Sequence, residues 1–320
     1  MLVSDAEPTG AISLRYGENP QQHGLFVPLD CDDPLALSRF AQVCGPALSY
    51  TNYLDADGAL FALAQLGARL PACVIVKHAT PCGAARGETI DEAYQRAWAG
   101  DPIAAFGCAL ALNRPVTTAL AELMLRGRVV HLLLCPAVEA EAMLVLQRRA
   151  SLRVLVNPAL HEVSVPRGRE WRTVRGGVLM QDVYDGRLDP DRLQIVTATQ
   201  PAQGDWEDIH LAWGLATATR SNAVALVKDG MLLGAGAGQQ DRRSACRLAV
   251  AKAGARAAGA VAASDGAFPF ARADAVEELI AAGVAIIVQP GGARRDAEAI
   301  ALCDEHGVAM LFTGVRGFRH

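Results

Sequence analysis

The chain has 320 residues, of which 51% are apolar and 20% are charged, and its formal net charge at pH 7 is −4. This composition is typical of a globular protein with one large domain or two ordinary ones, and the balanced charge and 5% aromatic content argue against a nucleic-acid-binding surface. Its first residues lack the basic and apolar regions of a signal peptide, and no run of about eighteen apolar residues occurs, so the sequence predicts a cytoplasmic protein that does not contact membranes.

Short apolar runs bounded by Gly, Pro or charge predict buried strands, and apolar residues three and four apart predict helices. In chain order, the predicted elements are a strand at 73–76, helices at 90–99 and 119–125, strands at 129–134, 178–180 and 223–227, helices at 245–258 and 273–282, and a strand at 284–288. Strands that alternate with helices predict an α/β protein with mostly parallel sheets.

An approximate internal repeat relates residues 74–136 to residues 223–290. In each half a strand leads through a Gly-containing polar loop (HATPCGAARG, then GAGAGQQDRR) to a helix, and an Asp-containing loop leads on to a second helix and a strand that stops at proline. We therefore predict a first lobe at 1–150, an inter-lobe connection at 151–207 and a second lobe at 208–320, with a cleft where their loops meet.

Lys77 and His78 directly follow the first predicted strand, in VIVKHATPCG. The lysine charge opposes protonation of the adjacent imidazole, which keeps that ring available as a base, while the ammonium can donate to a developing anion. A structural interpretation is also open: a lysine at the sheet rim and a histidine bonded to a backbone carbonyl. The dipeptide alone favours this second interpretation.

Other polar stretches also have structural explanations. Asn52, Asp55 and Asp57 lie at the start of an apparent helix, where capping favours Asn and Asp. The stretch GAGAGQQ lacks the last glycine of a dinucleotide fingerprint and the Lys-Ser of a P-loop, so tight turning explains it better than phosphate binding. The stretch RYGENPQQ and the tail RGFRH are each either a mobile segment or a binding element.

The cysteine pattern argues against disulfides and against a metal site. Eight cysteines stand singly, most of them in apolar runs, which indicates reduced core thiols. The stretch HATPC resembles part of the zinc-deaminase signature, in which His-x-Glu precedes Pro-Cys-x-x-Cys. Thr80 stands where that signature has Glu, and Ala85 stands where it has the second Cys. We therefore predict that no metal is required.

Eight blocks of sequence in a fixed order carry a resemblance to one family. They are LRYGENPQQ (14–22), SYTNYLDADGAL (49–60), VIVKHATPCG (74–83), DPIAAFG (101–107), RGGVLMQD (175–182), RSNAVALVKDGMLLGAGAGQQDRR (220–243), SDGAFPF (264–270) and IIVQPGGARRDAEAIALCDEHGVAMLFTGVRGFRH (286–320). In these blocks the chain resembles the formyltransferase domain of the bifunctional purine biosynthesis proteins, AICAR transformylase. The family's IMP cyclohydrolase domain normally precedes the first block, so the resemblance implies a chain that does not close the purine ring.

The resemblance implies formyl transfer from 10-formyltetrahydrofolate to the amine of AICAR, a nucleotide-like substrate, on two cytidine-deaminase-like lobes. Lys77 and His78 match the catalytic pair, with His78 as base and Lys77 as stabiliser of the oxyanion or of the departing folate nitrogen. Asn222 matches the asparagine that orients the formyl group. Matches on the substrate side are Arg15, Tyr16, Gly107, Arg316 and Phe318, and matches on the folate side are Arg242, Pro269 and Phe270.

Shared active sites in a homodimer are also implied, with Arg15, Tyr16 and Arg316 supplied by the other subunit. The implied route is direct transfer without an acyl-enzyme, because no Ser or Cys triad is evident.

Three positions depart from the family pattern. His131 stands where the family has an acidic residue, Ala267 replaces a phenylalanine that lies against the imidazole ring, and Thr80 replaces Asn or Ser. Loss of a stacked ring removes about 1 kcal/mol of aromatic contact, and an imidazole can donate where a carboxylate only accepts. Two further hypotheses therefore stay open: a paralogue that formylates a different heteroaromatic amine, and a non-catalytic folate- or nucleotide-binding protein.

Overall fold

The structure, a computed structural model, describes residues 10–320, so the first nine residues of the predicted first lobe lie outside the described part. The strands are β1 (Ile12–Ser13), β2 (Leu25–Phe26), β3 (Ala41–Cys44), β4 (Ala72–Lys77), β5 (Thr80–Arg86), β6 (Cys108–Leu112), β7 (Val130–Cys135), β8 (Arg153–Val156), β9 (Arg169–Val174), β10 (Gly177–Asp182), β11 (Gln194–Ile195), β12 (Val224–Lys228), β13 (Met231–Gly236), β14 (Val261–Ser264), β15 (Ile286–Gln289) and β16 (Ala309–Phe312). The α-helices are α1 (Tyr50–Leu66), α2 (Ile90–Gly100), α3 (Thr118–Leu125), α4 (Ala140–Leu146), α5 (Trp206–Thr217), α6 (Arg242–Ala253), α7 (Ala275–Ala281) and α8 (Asp296–Glu305).

One central sheet spans both halves of the chain, in the strand order β11-β16-β15-β14-β12-β13-β5-β4-β6-β7-β8-β3. This order is symmetric about the pairing of β13 with β5, at Met231 and Ala85. On each side the chain runs through a helix, a hairpin, a helix, a strand, a helix, a strand, a helix and a strand. The predicted repeat is therefore a repeat of topology, but its halves are joined in one sheet and do not carry a sheet each.

Among the strands named above, β6–β7–β8 and β14–β15–β16 pair parallel. The hairpins β4–β5 and β12–β13, and the strands beside them, pair antiparallel. The prediction of mostly parallel sheets holds for these two groups of three strands and was wrong for the centre, and the edge strands β3 and β11 also pair antiparallel. The reason is connection length, because the two-residue links His78–Ala79 and Asp229–Gly230 can join only antiparallel strands, whereas parallel neighbours need a long crossover.

Alternate residues of each strand pack against helices on opposite faces of the sheet. Val74 and Val76 belong to a core with α1 and α5 on one face, and Cys73 and Ile75 belong to a core with α2, α3 and α4 on the other. Helices α6, α7 and α8 cover that second face in the other half. The result is three layers, helix on sheet on helix. Within residues 10–320, no helix has the length and apolar composition needed to cross a membrane.

Glycines in the second strand of each hairpin let a helix approach the sheet closely. A Cβ on Gly83 of β5 would collide with the carbonyl oxygen of Ala97 in α2, and a Cβ on Gly236 of β13 would collide with that of Ala245 in α6. Because both obstacles are backbone atoms, neither can move aside cheaply. Gly234 and Gly236 of GAGAGQQ therefore serve helix packing, whereas Gly238, with φ of +65° and open space around it, fits the turn inferred from the sequence.

Helix α1 begins with a capping box. The hydroxyl of Ser49 accepts from the N–H of Asn52, and the Asn52 side chain accepts from the N–H of Ser49. This confirms a capping role for Asn52. Asp55 and Asp57 lie beyond the first turn, so capping does not explain them.

Candidate active site

A cavity of about 350 Å³ opens at the sheet edge where β4 ends and β6, β7 and β8 begin, beside the start of α1. We call it the Lys–His cavity. Several residues predicted from the sequence line it together: Arg15, Tyr16, Lys77, His78, Gly107 and His131. The same cavity is lined by Asp55, Ser151 and Arg153, which sequence reasoning did not assign to the site.

The RYGENPQQ stretch is an ordered loop fixed to the start of α1. The N–H of Arg15 donates to the carbonyl of Leu48 at 3.0 Å, and the N–H of Tyr50 donates to the carbonyl of Tyr16 at 3.2 Å. Both side chains thereby line the Lys–His cavity of their own chain. The prediction that another subunit supplies Arg15 and Tyr16 was therefore wrong, because these local backbone bonds already place them.

His78 lies in the two-residue turn between β4 and β5, where it is exposed to the cavity. His78 and Ala79 both have positive φ, 52° and 56°. The carboxylate of Asp55 accepts from the N–H of Ala79 at 2.7 Å. The imidazole is therefore carried on a short turn that α1 holds from one side.

Backbone carbonyls hold Lys77 in place. Its Nζ donates to the carbonyls of Phe106 at 2.8 Å and Gly107 at 3.3 Å. Gly107 has φ of +71°, and a Cβ there would lie 3.1 Å from Cε1 of His131 and 3.2 Å from Nζ of Lys77. The positive φ and these close approaches both favour glycine at this position. Since an ammonium has three donors, one remains for a ligand.

The charges around the cavity are mostly positive. Arg15, Lys77 and Arg153 line it together with two imidazoles, and Asp55 is the carboxylate among the residues that line it. Burial raises the pKa of the Asp55 carboxyl, and the N–H of Ala79 and the nearby Lys–His pair act against this rise. This excess of positive charge favours an anionic ligand.

His131 and Arg153 respond to the same environment. Burial lowers the pKa of His131, and the charge of Lys77 lowers it further. The pKa of Arg153 is lowered by burial and by the neighbouring Arg15. These directions follow from crowding several cationic groups into a partly desolvated space.

A second group of predicted residues, which we call the Asn222 cluster, lies elsewhere in the chain. It consists of Asn222, Arg242, Arg316 and Phe318. The guanidinium carbons of Arg242 and Arg316 lie 6.0 Å and 5.0 Å from the centre of the Phe318 ring. Arg242 also forms a buried ion pair with Asp265.

Asn222 and Ala267 lie beside this ion pair. Arg242 donates to the carbonyl of Ala223, the residue after Asn222, at 3.4 Å. The Asn222 side chain donates to the carbonyl of Gln239 at 2.7 Å. Ala267 follows Gly266, where a Cβ would lie 2.7 Å from the Phe318 ring.

The two groups share no residue. Residues of the Asn222 cluster do not line the Lys–His cavity. The folate-side residues Pro269 and Phe270 are exposed, and the Phe270 ring lies 5.3 Å from the guanidinium of Arg295. Of the predicted catalytic residues, Lys77 and His78 therefore line the Lys–His cavity, and Asn222 does not.

Metal ligands do not gather at either group: across residues 10–320, no three His, Cys, Asp or Glu side chains lie close enough together to hold a metal ion.

Fold and site together define a three-layer α/β protein of repeated topology with a cationic small-molecule cavity at one sheet edge. The family model described as "AICARFT/IMPCHase bienzyme" matches residues 4–252, and the chain belongs to this family.

Curated relatives match nearly the whole chain. "Bifunctional purine biosynthesis protein PurH" of Anoxybacillus flavithermus is 41% identical over 96% of the chain and 59% of its own length. The proteins of the same description from Roseobacter denitrificans and Bacillus subtilis are 42% and 39% identical, over 98% and 96% of the chain and 60% and 59% of their own lengths. The chain thus spans about three fifths of the relatives that it matches.

One solved structure, "Acinetobacter baumannii RibD, form 2", matches 31% of the chain and 31% of its own length, with 20% identity and a TM-score of 0.24.

Proposed function

We propose that the protein transfers the formyl group of 10-formyltetrahydrofolate to the exocyclic amine of AICAR. The observation that supports this most directly is the Lys–His cavity, in which the two residues that match the family's catalytic pair lie beside Gly107 in a cationic pocket. Family membership supports the same reaction, because the relatives are described as purine biosynthesis proteins.

The chemistry that these side chains can perform is a direct acyl transfer. The amine of AICAR is a weak nucleophile, so the site must hold it against the formyl carbon. His78 accepts a proton from the amine as the new C–N bond forms, and Lys77 donates to the oxyanion of the tetrahedral intermediate. Collapse of that intermediate breaks the bond to N10 of the folate, which takes a proton from the protonated His78 or from the Lys77 ammonium and leaves as tetrahydrofolate.

Nearby thiols are poor candidates for an acyl-enzyme. Burial raises the pKa of Cys82 and of Cys108 to about 12, so both remain protonated near neutral pH. Cys82 donates its S–H to the carbonyl of Ile75. This supports transfer without a covalent enzyme intermediate.

The division of the site suggests how the subunits assemble. We propose that the two halves of the sheet are cytidine-deaminase-like units, the first of which extends past the predicted boundary at 150 to include β8, and that the Asn222 cluster of one subunit completes the Lys–His cavity of the other in a homodimer. Arg242, Pro269 and Phe270 would then contact the folate, and Arg316 and Phe318 the nucleotide. Strands β9 and β10 support a subunit contact, because they form a separate hairpin that is exposed along both strands, with Trp171 59% exposed.

A direct assay tests the reaction. Purified protein that is given 10-formyltetrahydrofolate and AICAR should release tetrahydrofolate and formylated AICAR in equal amounts, measured by absorbance and by mass spectrometry. The matched control omits AICAR and reports hydrolysis of the formyl donor. Absence of turnover with both substrates at saturation would contradict the proposal.

A second candidate, formylation of another heteroaromatic amine, is favoured by His131. Its imidazole lines the cavity next to Lys77, where the family pattern has an acidic residue. If this candidate is right, His131→Glu combined with Ala267→Phe should raise kcat/KM for AICAR about tenfold, since one recovered polar or aromatic contact changes discrimination by roughly that amount.

Steady-state kinetics with AICAR and with a panel of heteroaromatic amines measure the change. The controls are the single variants His131→Glu and Ala267→Phe, which show how much of the change comes from the residue that lines the cavity and how much from the residue beside the Asn222 cluster. Unchanged or lower kcat/KM for AICAR in the double variant would leave AICAR as the acceptor and remove the basis of the second candidate.

A further inference from the structure

The turn that carries His78 has an unfavourable sequence for its conformation. Lys77 pairs with Thr80, so His78 and Ala79 form a two-residue hairpin turn in which both residues have positive φ. Turns of this kind favour Asn or Asp followed by Gly, because a Cβ is disfavoured in the left-handed region. Two successive residues of other types persist there only where their surroundings fix them.

The equivalent turn in the other half has the favourable sequence. Asp229 and Gly230 join β12 to β13 with φ of 52° and 71°. Their N–H groups donate to the two carboxylate oxygens of Asp208 in α5, at 2.6 Å and 2.7 Å. Each half therefore holds its hairpin turn with a carboxylate from the helix that precedes it, and only the first half uses the turn to carry a site residue.

Helix α1 holds the His78–Ala79 turn at two points. Oδ1 of Asp55 accepts from the N–H of Ala79 at 2.7 Å. One turn further along α1, a Cβ on Gly58 would lie 2.8 Å from the carbonyl oxygen of Ala79, so the turn rests against the helix backbone. The turn is therefore fixed by α1 and not by its own residue types.

Asp55 also lines the cavity that His78 faces. The charged and titratable groups around its carboxylate are Lys77 and His78 at the end of β4, His131 of β7 and the thiol of Cys108 in β6. Loss of the carboxylate would thus free the turn and leave the positive groups of the cavity without a counter-charge.

We propose that Asp55 is the positioning residue for His78: its carboxylate fixes the left-handed turn and so keeps the imidazole in the geometry that proton transfer needs. This inference rests on the proposed function, in which His78 is the base. Misplacement of a reacting group by about 1 Å can lower the rate on the order of a hundredfold. Loss of the hydrogen bond between Asp55 and the N–H of Ala79 should therefore lower kcat strongly.

Two substitutions at Asp55 distinguish loss of the hydrogen-bond acceptor from loss of the negative charge alone. Asp55→Ala removes the acceptor for the N–H of Ala79, and we expect kcat to fall roughly 10- to 100-fold with a change in KM below about threefold. Asp55→Asn retains an oxygen that can accept this hydrogen bond, and we expect kcat to stay within about fivefold of the parent. Rescue by the isosteric amide is the expected signature of positioning.

Asp208→Ala is the matched control. It removes the corresponding carboxylate from the turn of the other half, where no site residue is carried, so it should lower Tm without changing kcat more than about twofold. Asp55→Ala should lower Tm as well. If Asp55→Ala and Asp208→Ala lower Tm alike and both leave kcat unchanged, the role of Asp55 is structural only and the proposal is wrong.

Ala79→Gly provides a second test, since glycine adopts φ near +56° without strain. In this background Asp55→Ala should lower kcat by less than about fivefold, because the turn no longer depends on the carboxylate to the same degree. If Asp55→Ala lowers kcat as much in the Ala79→Gly background as in the parent, the positioning role of Asp55 is wrong.

NMR of the His78 ring separates failure of this inference from failure of the proposed function. The ring resonances should shift in Asp55→Ala and stay in place in Asp208→Ala, whether or not the protein turns over AICAR. Unshifted resonances in Asp55→Ala would overturn the positioning role, whereas shifted resonances in a protein without formyl transfer would leave it standing and contradict only the reaction.

Discussion

Replacement of His78 with Ala is expected to lower kcat for formyl transfer about 10²- to 10⁴-fold, because a positioned general base contributes a factor of that size. KM should change little, since the Arg15, Tyr16 and Lys77 side chains remain in the cavity. Stopped-flow or steady-state release of tetrahydrofolate at saturating substrates measures the loss. Circular dichroism and Tm should match the parent, because the His78 side chain is exposed and supports no core contact.

Chemical rescue makes this test specific to the imidazole. The cavity is open at His78, so added imidazole can enter the space that Ala leaves and should restore part of the lost rate. His161→Ala is the control, because His161 is exposed and does not line the cavity. Activity of His78→Ala within about tenfold of the parent would assign the base to another group.

The same variant distinguishes an enzyme from a binding protein. A non-catalytic folate- or nucleotide-binding protein would show ligand-dependent increases in Tm that survive in His78→Ala, with no turnover by the parent. The enzyme hypothesis expects turnover by the parent and its loss in the variant.

Much of the fold follows from local sequence. The apolar runs at 73–76, 129–134, 223–227 and 284–288 correspond to β4, β7, β12 and β15 within about two residues at most ends, because continuous apolar runs must be buried on both faces of a sheet. Helix α2 also begins where predicted, at Ile90, after the cap Thr89. Such elements are determined by residues that are close in sequence.

The central hairpin was not predictable in the same way. His78–Ala79 contains no Gly or Asn to indicate a two-residue turn, and its conformation is fixed by Asp55, which is 24 residues away in the chain. A signal that depends on tertiary contact is absent from the local pattern. The consequence for pairing was large, because this hairpin and the β12–β13 hairpin, whose Asp229–Gly230 turn did give a local signal, both place antiparallel strands at the centre of the sheet.

Several residues that line the Lys–His cavity were predicted from the sequence, but their arrangement in space was not. Lys77 and His78 are adjacent, so their meeting at one cavity required no tertiary information. Arg153 was missed, although an arginine within the apolar stretch LRVLV is a signal that could have identified it. Resemblance to a family indicates which residues belong to the site, but it does not indicate which of them one chain brings together.

That separation leads to a prediction about mixed dimers. Lys77→Ala and Asn222→Ala should each lose activity by about 10²- to 10³-fold, because the proposed function has each of these polar groups act on the reacting atoms. If the Asn222 cluster of one subunit completes the Lys–His cavity of the other, a dimer of one Lys77→Ala chain and one Asn222→Ala chain has one intact site and one site with both defects. Mixing the two variants should therefore restore activity that neither has alone.

The expected yield follows from random pairing of subunits: roughly half of the dimers are mixed and each has one intact site of two, so the mixture should reach about a quarter of the parent activity. Co-expression with two different affinity tags, followed by tandem purification of mixed dimers, should raise this to about half. The control is a mixture of Lys77→Ala with His78→Ala, which should stay inactive. Both residues line the cavity of one chain, so every dimer in the mixture has a defect in each of its two cavities. A Lys77→Ala and Asn222→Ala mixture no more active than its components would show that the two groups do not cooperate across a subunit boundary, and that Asn222 acts, if at all, within the chain that carries it.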